Sequence, residues 1–154
     1  MSVTSATDPV QAIVDVLDAA GVGDWANGGA EPDRLERTES SEPSDKTRNS
    51  RLGDVSLYVF SPADGDLQKF SADDDALQTE VVQVDVYTDD ADVTNNFASD
   101  VISIVADYAT DNAQETAWVD IWPTTPTDNT GQAFYYGGFA IISVQIRLRR
   151  HFDP

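Results

Sequence analysis

Residues 79–109, TEVVQVDVYTDDADVTNNFASDVISIVADYA, change their apolar period without a break. Up to Tyr87 the spacing is two: Val82, Val84 and Val86 point one way, Gln83 and Asp85 the other. This predicts a strand with one buried face and one wetted or interfacial face. Beyond Tyr87, Val93, Phe97, Val101, Ile104, Val105 and Tyr108 share one stripe of a helix. Asp89 or Asp90 can cap it, where carboxylates suit the positive end of the helix dipole. A strand that runs straight into an amphipathic helix must cover its apolar side with that helix, so the segment calls for a sheet with helices across it.

The flanking segments fit the same scheme. In TDPVQAIVDVLDAAG, Asp8 can serve as N-cap, Pro9 suits the first helical position, Gln11 stands where a capping-box partner would, and Gly21 can end the helix. Val10, Ile13, Val14 and Leu17 then form its apolar face. DVSLYVF at 54–60 is a β-branched and aromatic strand ended by the turn residues SPADGD. In AWVDIWPTTPTDNTG, Val119 and Ile121 oppose Trp118, Asp120 and Trp122 until the prolines stop the strand. GGFAIISVQIRLRR sets Ile142, Val144, Ile146 and Leu148 against Ser143, Gln145, Arg147 and Arg149, after a glycine pair that marks a bulge or turn. Residues 28–53 have hardly any apolar residues and no steady period, which predicts a long polar arm or loop. The order predicts one α+β domain over residues 1–154: an antiparallel or mixed four-stranded sheet, two helices packed on one face, and the arm.

Charge describes the solvent this domain expects. The 28 acidic residues, 22 of them aspartate, face 9 basic ones, giving a net charge of -19. At molar salt the Debye length falls to about 3 Å and such repulsion is screened. The acids are scattered through apolar segments, unlike those of an acidic tail or a DNA mimic. An Asp-rich, Lys-poor chain of this kind resembles proteins of salt-in halophilic archaea.

Chemical sites are scarce. With no cysteine, disulfides, thiolate catalysis and cysteine-ligated zinc are excluded. DDADVTNN offers alternate oxygen ligands at Asp90, Asp92 and Thr94 but lacks the glycine of a calcium loop and places Val101 where the bidentate glutamate belongs. His151, the single histidine, lies near a terminus, where fraying is expected. Neither glycine pair matches a nucleotide fingerprint. The expectation is a non-enzyme without metal or cofactor. No apolar run reaches the length of a membrane span, and the N-terminus lacks the layout of a secretory signal, so a soluble protein made where it is used is expected.

Two basic clusters remain: Arg34, Arg37, Lys46, Arg48 and Arg51 in the arm, and Arg147, Arg149 and Arg150 in the last strand. In so acidic a chain they are candidates for contact with an acidic neighbour or a nucleic-acid backbone. No aromatic residues are interleaved with them, which argues against base recognition.

From Val10 to Arg149 the arrangement resembles the tail terminator, or tail completion, proteins of long-tailed viruses. The likeness rests on an N-terminal helix, a strand, then VVQVDVYTDD running into NNFASDVISIVADYA, and the closing strand FAIISVQIRLRR. The resemblance implies a homohexameric ring at the head-proximal end of the tail tube, in the neck region of the virion, assembled in the host cytoplasm. Such a ring stops tube polymerisation and docks the head connector. Its implied partners are copies of itself, the tail tube protein and the connector or stopper protein, with packaged DNA nearby and no membrane. The eight basic residues above become interface or lumen candidates. With the halophilic composition, the expected host is a halophilic archaeon. The alternatives are another head-tail connector, a stopper or adaptor, and a small halophilic ligand-binding or regulatory domain.

Overall fold

The computed structural model describes residues 6–25, 31–38, 55–62, 66–69, 76–112, 117–118, 120–124, 134–136 and 138–152. In chain order these form α1 (Pro9–Asp18), a 3-10 turn (Val22–Asp24), β1 (Arg34–Arg37), β2 (Ser56–Phe60), β3 (Asp66–Lys69), β4 (Ala76–Thr88), α2 (Ala91–Asn112), β5 (Asp120–Pro123), β6 (Phe134–Tyr136) and β7 (Phe139–Phe152). The fold is α+β, with one mixed sheet.

β4 and β7 are the spine. All 13 residues of β4 pair antiparallel with β7, from Ala76 opposite Phe152 to Thr88 opposite Ala140. Outside β4 lie β2, opposite Gln83–Tyr87, and β3, opposite Ala76–Thr79. Outside β7 lie β6, opposite Phe139–Ile141, and β5, opposite Ile146–Arg149. β1 extends the sheet beyond β2 and is its parallel pair. Gly138, at φ 87, takes the left-handed backbone of the turn that leads into β7; Gly137, the other member of the pair, lies outside the described residues.

Among the described residues the sheet has seven strands where four were expected. β1 lies inside the stretch expected to be an arm, and no apolar period announces it. Backbone and capping contacts to β2 hold it: Asp33 and Arg34 N–H donate to the Val55 carbonyl at 2.8 and 3.1 Å, and Thr38 N–H to Val59 at 2.8 Å. Asp33 Oδ2 in turn accepts from Val55 N–H at 2.7 Å. β3 and β6, of 4 and 3 residues, are too short for a period to register. His151 continues β7, paired opposite Leu77, so the backbone does not fray there.

Both helices cover one face. Leu57 and Val59 of β2, Val82, Val84 and Val86 of β4, Ile121 of β5, and Ile142, Val144, Ile146 and Leu148 of β7 meet Val10, Ile13, Val16 and Leu17 of α1 and Phe97, Val101, Ile104, Val105 and Tyr108 of α2. Each such side chain contributes about 1.5–3 kcal/mol by leaving water. Val14, expected on the core face of α1, is only half-buried, while Ala12 and Val16 are fully buried. Trp118 was expected on the outer face with Asp120 and Trp122. It precedes β5, escapes the strand's alternation and is buried, its indole N–H 3.0 Å from the Ala6 carbonyl.

The caps follow the sequence in part. Asp8 Oδ1 accepts from Val10 and Gln11 N–H at 3.0 and 3.2 Å. Asp90 Oδ1 accepts from Asp92 N–H at 2.9 Å at the start of α2. Gln11 does not close a capping box. Its amide reaches forward to Asp15 Oδ1 at 2.8 Å while its carbonyl oxygen accepts from Arg37 at 3.1 Å. Nor does Gly21 supply a left-handed stop: α1 ends through Ala19 in right-handed backbone, and Gly21 N–H donates to Asp24 Oδ2 at 2.8 Å.

Candidate interaction surfaces

Strand alternation puts a second set of residues on the face away from the helices, and the register sorts them into three zones. At the start of β7 is an aromatic cluster of Tyr58, Tyr87, Phe139 and Ile141, with the two tyrosine rings edge to face at 5.5 Å. In the middle is a polar line. Ser143 Oγ and Gln83 Nε2 both donate to Asp85 Oδ1 at 2.8 Å, and Gln145 approaches Gln83 at 3.4 Å. Asp85 is buried while Gln145 and Trp122 are exposed, so the face expected to be wetted or interfacial is covered in part.

At the far end of the same face stand Arg147, Arg149, Asp120 and Trp122. The register sets Trp122 directly opposite Arg147 and Asp120 opposite Arg149. Arg149 donates through Nε and Nη2 to Asp120 Oδ2 at 3.0 and 2.7 Å. Arg147 Nη2 lies 3.5 Å from the same oxygen. Two guanidiniums thus share one carboxylate and leave one positive charge over. Arg147 Nε is buried with no hydrogen-bond partner. Trp122, 46% exposed, is the exposed large apolar side chain among the described residues.

The remaining basic candidates are dispersed. Arg37 points to the helix layer, donating to Asp8 Oδ2 at 3.0 Å and to Gln11. Burial raises the Asp8 carboxyl, but hydrogen bonds from Arg37, Gln11 N–H and Val10 N–H, with the Arg37 charge, outweigh it and hold the carboxyl below its ordinary value. Arg150 also lies on the helix side of β7, donating to Gln78 Oε1 at 2.6 Å with its guanidinium 5.6 Å from the Trp118 ring centre. Arg34 is half-buried in β1, opposite Ser56. Lys46, Arg48 and Arg51 lie outside the described residues. Of the five candidates among the described residues, Arg147 and Arg149 are the two that converge on one carboxylate.

The helix layer carries the opposite charge. Between the 3-10 turn and the outer side of α2 is a recess of about 310 Å³, bordered by Gly23, Asp24, Ser103, Ile104, Asp107 and Asp111. Ser103, Asp107 and Asp111 recur every fourth residue along α2, on the exposed flank of its core stripe. This recess, Asp120 and Trp122 were not singled out from sequence. The signal for Asp120 and Trp122 was the alternation of β5; the recess depends on how the turn meets α2, which no local pattern encodes. No family model and no curated protein matches the chain.

Proposed function

We propose that the chain is a structural subunit of a virion. In this reading it closes into a ring at the head-proximal end of the tail tube of a tailed virus, ends tube polymerisation and joins the tail to the head connector. The host on this reading is a halophilic archaeon, whose molar internal salt suits a chain of net charge -19.

One observation carries the reading: the described sheet has the helices on one face and a chemically different set of side chains on the other. β4 runs through the acidic turn at Asp89 and Asp90 into the 22-residue α2, and β7 returns along the whole of β4. The acidic helix layer and the sheet face bearing Trp122 and Arg147 are non-equivalent patches. A heterologous contact between two such patches closes into a ring when the rotation per subunit allows it. The tail tube protein and the connector would meet the two rims.

Light scattering and negative-stain microscopy of the purified chain in molar KCl test the proposal, together with probing purified particles for the chain. A ring of about six subunits, present in particles, is the expected result. A compact monomer at every salt and concentration, absent from particles, would overturn it.

A further inference from the structure

We propose that copies of this chain associate head to tail by seating Trp122 and Arg147 of one copy in the recess bordered by Asp24, Asp107 and Asp111 of the next. The inference rests on the reading of the chain as a self-assembling subunit and assigns the two surfaces that meet.

The projecting side has what a contact needs to be directional. Trp122 lies opposite Arg147 across β5 and β7, so an aromatic ring and a guanidinium stand together on one pleat. Tryptophan and arginine are enriched at the centres of protein interfaces: the indole buries large area with only two torsions to freeze, and the guanidinium offers five donors in a planar fork. Arg149 already holds Asp120 through two hydrogen bonds, while Arg147 reaches that oxygen only at 3.5 Å. The uncompensated charge of the group therefore sits on Arg147, the residue beside the exposed ring. The receiving side is concave, with three exposed carboxylates and Ile104. Ring meets recess and cation meets carboxylates.

The two surfaces lie on opposite layers of the sandwich, so one copy cannot satisfy its own. A second copy is the occupant favoured by charge. Lysine and arginine total 9 against 28 acids, so a cationic patch of this chain finds its complement on another copy in any orientation that presents α2.

Salt decides whether the contact forms. At low ionic strength the long-range repulsion between two molecules of net charge -19 opposes approach. In molar salt, screening acts beyond about 3 Å, which removes that repulsion while leaving ion pairs in direct contact. Strongly excluded salts also strengthen burial of the indole. Association through this contact therefore rises with salt, opposite to the behaviour of a purely electrostatic one.

The test is sedimentation velocity of the full chain across a KCl series, with Trp122→Ala, Arg147→Glu, Asp107→Arg and the double variant Arg147→Glu/Asp107→Arg. Unchanged circular dichroism and melting establish that the exposed substitutions leave the fold intact. The expected result is wild-type association that grows with salt, weakened by about tenfold or more in each single variant and recovered in part by the double variant. Wild-type oligomers that form equally well in all three single variants would overturn the assigned surfaces while leaving the ring reading standing. A wild-type chain that remains monomeric in molar KCl would overturn this contact, and the ring reading falls with it if the chain is also absent from particles.

Discussion

Trp118 donates its indole N–H to the carbonyl of Ala6 at 3.0 Å, joining the approach to β5 to the segment that leads into α1 across 112 positions of sequence. The ring is 1% exposed, and the Arg150 guanidinium lies over it. Replacing Trp118 with Phe keeps most of the buried ring and removes the donor, at an expected cost of about 1 kcal/mol, with more if the carbonyl stays dry. Trp118→Ala leaves a cavity as well and should cost about 3–5 kcal/mol. Urea denaturation in molar KCl reads both. Equal midpoints for the two variants would show that the ring's volume does not matter there.

Thr94 supports a different junction, where α2 crosses the start of β7. Its buried hydroxyl lies 2.9 Å from the Ala140 carbonyl and 2.6 Å from Thr88 Oγ1. Thr94 has one proton to give, and Ala140 is the nearer of the carbonyls it reaches, so Thr88 can donate either to Thr94 or to the Asp90 carbonyl, 2.6 Å away. Thr94→Val keeps the shape and removes the hydroxyl bonded to the Ala140 carbonyl and to Thr88, with an expected cost of about 1–3 kcal/mol. Thr94→Ser keeps the hydroxyl and loses a methyl, at roughly 1 kcal/mol. The urea midpoint of the valine variant should fall further than that of the serine variant; the reverse order would refute a hydrogen-bonding role.

Asp8 ties helix capping to pH. Because its carboxyl is held below the ordinary value, the unfolded chain takes up that proton more readily than the folded one. Its contribution is therefore present above about pH 4, the ordinary aspartate value, and disappears as the pH drops through the lower folded value. Asp8 and Arg37 are about half exposed, at 51% and 45%, so the ionic share is small. Asp8→Ala should cost about 1 kcal/mol at neutral pH through the lost cap. Asp8→Asn, which still caps, should cost a few tenths. The gap between wild type and Asp8→Asn should close as acid is added. A gap that widened in acid would contradict the sign.

The sequence announced elements whose side chains keep one environment throughout. Ile142, Val144, Ile146 and Leu148 all face the helices, as their alternation requires, and Phe97, Val101, Ile104, Val105 and Tyr108 all lie in the core stripe of α2. Elements fixed by their partners were silent. Arg34–Arg37 becomes a strand by taking the backbone groups at the edge of β2 and packing Leu35 against the core, and one apolar residue among Arg and Glu carries no period that marks it. Trp118 misled for a related reason, since alternation holds only where the backbone is paired, and among the described residues pairing begins at Asp120. The candidate surfaces were half legible. Arg147 and Arg149 could be placed on one face by counting in twos, but their convergence on Asp120 depends on which strand lies beside β7.

The charge balance leads to the final prediction, which concerns stability and not assembly. Folding gathers 28 carboxylates and 9 basic groups into a small volume, and the unfolded chain keeps them farther apart. The excess repulsion in the folded state acts over the Debye length, roughly 30 Å at 0.01 M salt, 10 Å at 0.1 M and 3 Å at 1 M. Pairs such as Arg149 with Asp120, at 2.7 Å, sit inside even the shortest of these and lose little to screening. The balance therefore shifts toward the folded state as salt rises, and steeply at the low end. Melting followed by circular dichroism should give a transition temperature that climbs with KCl. NaCl should give nearly the same curve at low concentration, since screening depends on ionic strength and not on ion identity. A transition temperature that falls with added salt would mean that attractive charge pairs outweigh the net repulsion, and the reading of the acidic surface as an adaptation to salt would have to be abandoned.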